Sequence, residues 1–272
     1  MPSTVTALVS AYNAETFLRG CLDDLLNQTL YAQGRLEIIV VNAGSPDGTA
    51  RIVREYLRQG VPLQAITSLR EPLYASWNRA ARLATGAYLT PANVDDRHAP
   101  DALERLADTL DSQPQVGLVY ADCFVTRTPN AVWGGAYSLD TTPPYTSGRL
   151  NWPEFDPLLL TQFYFCGPQP MYRRDLHATY GLFDASYLLA GDYEWALRLA
   201  AHGVQCQRVP EVLGLFYSGG MGQANAQQSS MESRRAVFRW REHIFNLSKQ
   251  PNASVDGGAT PSVGTAGAPS TA

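Results

Sequence analysis

The chain has 272 residues, 45% of them hydrophobic, which is ample for a buried core in one large domain or two small ones. Its 21 Lys and Arg against 25 Asp and Glu give a formal net charge of −4, and no basic run offers the phosphate-neutralising surface of a nucleic-acid binder. Cys21, Cys123, Cys166 and Cys206 are scattered without a CxxC pair, which speaks against a zinc site or a disulfide framework and for reduced thiols in a cytoplasmic-type compartment. No stretch approaches the ~18 apolar residues of a membrane span, and the first residues lack the basic-then-apolar pattern of a signal peptide. The expectation is a cytoplasmic protein, with peripheral membrane contact left open.

In chain order, residues 5–9 form a short apolar run ending in polar residues 10–13, followed by Phe17, Leu18, Cys21, Leu22 and Leu25 at helical spacing. Residues 36–41 are a continuous aliphatic run, as expected of a strand buried on both faces, and lead into the turn-rich residues 42–49. Ile52, Val53, Tyr56 and Leu57 then keep helical spacing, with Gly60 as a stop. Two more strand-helix units follow, over residues 63–84 and 87–110. Strands alternating with helices predict an α/β fold with an open, mostly parallel, Rossmann-like sheet whose ligands sit at the strands' carboxyl ends.

Asn93, Asp95 and Asp96 fall in the loop leaving the fourth strand, where crowded carboxylates call for a cation or a hydrogen-bond donor. Mg²⁺ or Mn²⁺ takes one or two such carboxylates together with substrate phosphates, while on this segment alone the favoured reading is that Asp96 or Asp101 caps the following helix. Residues 116–126 read as a longer strand interrupted by Asp122. Residues 127–152, rich in Pro, Gly, Thr, Tyr and Trp, have no period and read as a functional or flexible loop. Helices are expected at 175–180, 191–202 and 231–247, with two strands at 204–209 and 212–217. From residue 248 the composition predicts a disordered tail.

Several of these loops together resemble family 2 glycosyltransferases of the GT-A fold. The motifs are VSAYNAE (9–15), IIVVNAGSPDGT (38–49), EPLYASWN (71–78), ATGAYL (84–89), NVDDRHAPDALE (93–104) and AGDYEWALRL (190–199). Agreement of several motifs in order is more specific than any one. The resemblance implies a nucleotide-diphospho-sugar donor, a UDP-sugar first among them, and a divalent cation, Mn²⁺ or Mg²⁺. It also implies transfer to a hydroxyl of a glycan or glycolipid with inversion at the anomeric carbon, as in cell-surface polysaccharide synthesis. Residues 1–126 would form the nucleotide-sugar half and residues 127–247 the acceptor half of one domain.

By the same resemblance, Ser10 and Tyr12 line the base pocket, Glu15 meets the nucleoside, Asn42 and Ala43 lie beneath the base, and Asn78 bonds ribose or phosphate. Asn93 meets a ribose hydroxyl and Asp95 holds the metal. A cation at Asp95 would stabilise the departing diphosphate more than the bound donor. Inversion in one displacement needs a single base, and position gives that role to Asp192, whose other reading is a helix cap. Asp122, Trp133 and Glu194 are placed on the acceptor side, with Tyr137, Tyr145 and Trp152 as further candidates for stacking on sugar rings. Arg70 is a candidate for phosphate. Residues 219–230 read as a lid, with Arg234 or Arg235 reaching the diphosphate.

The chain departs from the family at Asn42, Ala43 and Asn93, where Asp is usual, and it lacks a His after the last strand. These departures motivate a rival reading, a sugar-nucleotide-binding protein that has lost catalysis. A nucleotidyltransferase is disfavoured because residues 9–15 carry no Lys or Arg.

Overall fold

The computed structural model describes residues 3–220 and 225–249. The two aliphatic runs become β1 (Val5–Ala11) and β2 (Leu36–Asn42), separated by α1 (Leu18–Leu26) and the single turn α2 (Thr29–Ala32). Next come α3 (Thr49–Arg58), β3 (Leu63–Thr67), α4 (Leu73–Leu83) and β4 (Tyr88–Pro91). The chain continues through β5 (Arg97–His98), α5 (Ala102–Ser112), β6 (Val116–Thr126), β7 (Arg149–Leu150), α6 (Pro157–Leu160) and β8 (Met171–Arg173). It ends with α7 (Leu176–Tyr180), α8 (Gly191–Ala201), β9 (Gln205–Tyr217) and α9 (Ala226–Ser248).

One sheet runs in the order β3-β2-β1-β4-β8-β6-β9-β5, with β7 paired to β6. The first four strands are parallel, and Val5 aligns with both Leu36 and Tyr88, so the loops leaving β1, β2 and β4 emerge along one edge. Strand order reverses at the β1/β4 pair, and the crevice between the loops leaving two such strands is where an open α/β sheet takes its ligand. The short β8 joins β4 and β6 antiparallel, and β9 runs parallel to β6. The sheet is mostly parallel with short antiparallel pairings, as expected.

Side chains of the central strands alternate between two apolar layers, as the two-residue period of a strand requires. Val5, Ala7, Val9, Ile38 and Val40 pack with α1, α3 and α5. Leu8, Ile39 and Val41 pack on the other side with α4, α7 and α8. This double coverage explains why both strands read as continuous aliphatic runs.

Three local expectations change. The two strands at 204–217 are one strand: Ala121 pairs with Val209 and Asp122 with Val212, so Pro210 and Glu211 form a bulge, where a residue lacking N–H is tolerated. The last helix starts at Ala226 rather than 231, so the second part of the expected lid is helical. Residues 221–224 lie outside the described residues, as does the expected tail from residue 250 on. Residues 127–152 are irregular but tied down, because buried Asp140 accepts from Arg127 Nε at 3.0 Å, Thr142 N at 3.0 Å and Ser218 Oγ at 2.6 Å.

Candidate active site

A cavity of about 580 Å³ opens at the carboxyl edge of the sheet. Ser10 and Tyr12 reach it from the loop after β1, Asn93, Asp95 and Asp96 from the loop after β4, and Arg70 from the loop before α4. Asp192 enters from the first turn of α8, and Tyr217, Gly219 and Gly220 from the end of β9. Tyr145, Trp152 and Tyr164 complete an aromatic wall. Tyr12 is 40% exposed and carries the Arg70 guanidinium 3.6 Å from its ring centre, a cationic and aromatic platform at the cavity's rim.

The acid pair is short of positive charge. Asp96 is buried and accepts from Tyr217 N at 2.9 Å and from Asn93 Nδ2 at 3.0 Å. Asp95 is half-buried, and a side chain at Gly220 would bring a Cβ within 2.7 Å of its Oδ2. Arg97 is adjacent in sequence, yet its guanidinium is held by Val94 O at 2.9 Å and Asn130 Oδ1 at 2.9 Å. Burial, and then the Asp95 charge, push the Asp96 carboxyl up to about 8, and burial raises Asp95 as well. Two desolvated carboxylates facing a cavity, with no ion-paired partner among the described residues, are the donor chemistry of a hard dication. Among the described residues no third Asp, Glu, His or Cys joins them. His98 is turned away, with its Nδ1 2.8 Å from Asp24 Oδ2. The remaining positions around such an ion would fall to phosphate oxygens and water, the usual arrangement for Mg²⁺.

Asp192 sits on different chemistry. Its Oδ1 accepts from Tyr74 Oη at 2.9 Å and from Tyr193 N at 2.9 Å, and among the described residues its Oδ2 has no bonded partner. Burial raises its carboxyl above the usual range, the Tyr74 bond opposes that rise, and the Glu232 charge adds to it. A carboxylate so held is a stronger base than one in water. Tyr74 is itself fixed by ring contacts to Trp77 at 5.4 Å and Phe183 at 5.9 Å. The absence of a side chain at Gly191 makes room for it, since a Cβ there would lie 2.7 Å from the Tyr74 ring.

Residues 6–181 match the family described as glycosyl transferase family 2. The chain belongs to that family. It is 27% identical over 220 residues to a PGL/p-HBAD biosynthesis glycosyltransferase of Mycobacterium bovis, covering 80% of this chain and 78% of the relative. The TarS protein of S. aureus in complex with UDP superposes with a TM-score of 0.63 at 17% identity, covering 86% of this chain. A mannosyltransferase of Pyrobaculum calidifontis in complex with GDP-Man and Mn²⁺ superposes with a TM-score of 0.64 at 21% identity, covering 93% of this chain. This chain spans 64% and 66% of those two proteins' length. The likeness places the sheet in the GT-A fold. The family match ends before Asp192.

In this glycosyltransferase Ser10, Tyr12, Arg70, Asn93, Asp95, Tyr145, Trp152 and Asp192 come together at the cavity, while Glu15, Asn42, Asn78, Asp122, Trp133 and Glu194 do not line it. Asn78 faces away from it, exchanging bonds with Phe183 O at 2.8 Å and Phe183 N at 3.0 Å, which locks α4 to the segment before α8. Glu15 accepts from Gly48 N at 3.0 Å and pairs with Arg51 at 3.1 Å, outside the cavity. Asn42 is buried, its Oδ1 accepting from Ser45 N at 3.1 Å to shape the turn after β2, and Ala43 is buried beside it. Asp122 is fully buried between Arg149 at 2.9 Å and Arg208 at 2.8 Å, and Trp133 packs near Phe124 with ring centres 6.1 Å apart. Glu194 points into the α8/α9 interface, where it pairs with Arg198 and accepts from Trp240 Nε1 at 2.8 Å. Arg235 bonds Ser186 Oγ at 2.5 Å and lies 3.9 Å from the Tyr187 ring centre, so it is engaged away from the expected diphosphate. Sequence reasoning missed Tyr74, although it lies in the quoted EPLYASWN segment, because an aromatic residue on a helix reads as core.

Proposed function

We propose that this glycosyltransferase is an inverting enzyme that moves a sugar from a nucleotide-diphospho-sugar, a UDP-sugar first, to a hydroxyl of a glycan or glycolipid. The observation that carries the reading is that the uncompensated Asp95/Asp96 pair and the raised carboxyl of Asp192 face one cavity. Residues 1–126 supply the donor side and residues 127–247 most of the acceptor side. Tyr12, with Arg70 above its ring, offers a stacking surface for a nucleobase, and Ser10 and Asn93 offer polar contacts to the nucleoside.

Asp95 would hold Mn²⁺ or Mg²⁺, with the buried Asp96 carboxyl behind it. The ion's contribution is to offset charge that builds on the departing diphosphate. Asp192 takes the proton from the acceptor hydroxyl as its oxygen attacks the anomeric carbon, through Oδ2, the oxygen left free when Tyr74 and Tyr193 hold Oδ1. Trp152, Tyr145 and Tyr164 exclude water and present flat apolar faces to an acceptor ring. Asn93 replaces an acid and bonds Asp96, which lowers the charge of the metal site without removing its ligand. Four cysteines without disulfides support a reducing, cytoplasmic setting.

A thermal-shift panel of UDP-, GDP- and dTDP-sugars, each with and without Mn²⁺, tests the proposal, because a ligand that binds only the folded state raises the melting temperature. The expected result is a rise for one nucleotide class that grows with Mn²⁺. Slow release of nucleoside diphosphate in the same samples separates an enzyme from a binding protein of this fold. A panel with no Mn²⁺-dependent response would contradict the proposal.

A further inference from the structure

The outer face of α9 has no partner among the described residues. Met231, Phe238 and Phe245 are 55%, 74% and 51% exposed, and their seven-residue spacing puts them in one stripe along the helix. Buried Ala236 and Ile244 mark the opposite, packed face. Cations flank the stripe: Arg234 and Arg235 beside Met231, Arg241 5.4 Å from the Phe238 ring centre, and Lys249 4.1 Å from that of Phe245. Residues 226–249 hold five Arg or Lys and two Asp or Glu, one of them the buried Glu232, in a chain whose net charge is −4. Large apolar side chains within a cationic stripe on an otherwise acidic protein are the signature of a helix that lies in a membrane interface.

The helix is tied to the wall of the cavity. Glu232 Oε2 accepts from the N–H groups of Leu188, Leu189 and Ala190 at 3.0, 2.8 and 3.0 Å. Leu189 lines the cavity, and its neighbour Leu188 is 50% exposed. Other occupants fit less well. Residues 250–272 contain no Leu, Ile, Met, Phe, Tyr or Trp with which to cover the stripe. A second copy would set one cationic face against another.

We propose that the outer face of α9, with Leu188, docks on an anionic lipid surface and holds the cavity beside it, so that the acceptor is a lipid-linked hydroxyl. This rests on the transferase reading above and names its acceptor class. Phe238 and Phe245 would sink into the acyl boundary while Arg234, Arg241 and Lys249 meet the headgroups.

The test is co-sedimentation of the full chain with vesicles of phosphatidylcholine alone or mixed with phosphatidylglycerol. The mixed vesicles are expected to retain the protein, less so at high salt, and a Phe238→Ser, Phe245→Ser variant should bind at least roughly tenfold more weakly. An Arg241→Glu, Lys249→Glu variant should lose the preference for phosphatidylglycerol. Both variants change exposed side chains, so their melting temperatures and sugar-nucleotide thermal shifts should match the parent. Loss of those shifts would speak to the donor site, not to the membrane surface. Equal sedimentation of parent and Phe variant overturns the proposal, as does a parent dimer that the Phe changes dissociate.

Discussion

Asp122, in a strand, and the Asp95/Asp96 pair, in a loop, are acids drawn largely out of water, yet the protein treats them in opposite ways. Asp122 is sealed in the sheet, and Arg149, Arg208 and the Trp152 N–H hold its carboxyl below the usual range despite burial. Asp96 at the cavity accepts from the Asn93 amide and the Tyr217 N–H, and burial pushes both it and Asp95 up although the nearby Arg97 charge opposes the rise. The same division separates Glu194, which is matched by Arg198 and Trp240, from Asp192 two residues earlier, whose side-chain donor is the neutral Tyr74 hydroxyl. Buried acids answered by arginine hold the fold together, and buried acids left unanswered at a cavity are available for chemistry.

The sharpest way to break that comparison is to neutralise one acid of each kind. Asp192→Asn keeps the size and the bond from Tyr193 but cannot accept a proton, and about a 10³-fold loss of sugar transfer is expected with donor binding retained. Steady-state transfer and donor binding on the same samples decide it, and full activity would remove Asp192 from the mechanism. Asp122→Asn should do the reverse. It leaves two arginines facing an amide, so stability falls by roughly 3 kcal/mol in urea unfolding while the melting shift given by the donor persists. Loss of donor binding in a folded Asp122→Asn protein would place that acid back in the site.

A smaller effect is expected from Tyr74→Phe, which removes one hydrogen bond and no volume. Tyr74 from α4 donates to Asp192, Tyr164 and Cys166 lie near it from the segment before β8, and Glu232 faces it from α9. Because none of these is cationic, the Tyr74 bond is the main side-chain contact opposing the rise caused by burial. Its loss raises the carboxyl further, so the active, deprotonated form is lost at a higher pH. The acid limb of the transfer rate should move up by about one pH unit. An unmoved limb in Tyr74→Phe would separate the tyrosine from the base.

Much of the frame was legible in the sequence, since β1 and β2 carry aliphatic runs that only a doubly covered strand needs, and the motif loops fall at one edge of the sheet. That Asp95 and Asp192 face one cavity was legible through those motifs. What stayed hidden was the identity of partners. Arg208 lies 86 positions from Asp122, and the Phe183 backbone lies 105 from Asn78, so nothing local signals that these polar groups are already satisfied. The bulge at Pro210 and Glu211 mimicked a strand break, because a proline in a run looks the same whether the strand ends or skips a residue. The α9 stripe was read only as part of a helix, because exposure is a property of packing and not of spacing alone.

The most direct test of the unanswered pair is calorimetric titration of Mn²⁺ into the protein with UDP present, for the parent, Asp95→Asn and Asp122→Asn. The account predicts that Asp95→Asn weakens Mn²⁺ binding by about 100-fold or more while Asp122→Asn leaves it unchanged. Equal Mn²⁺ affinity in the parent and Asp95→Asn would contradict it.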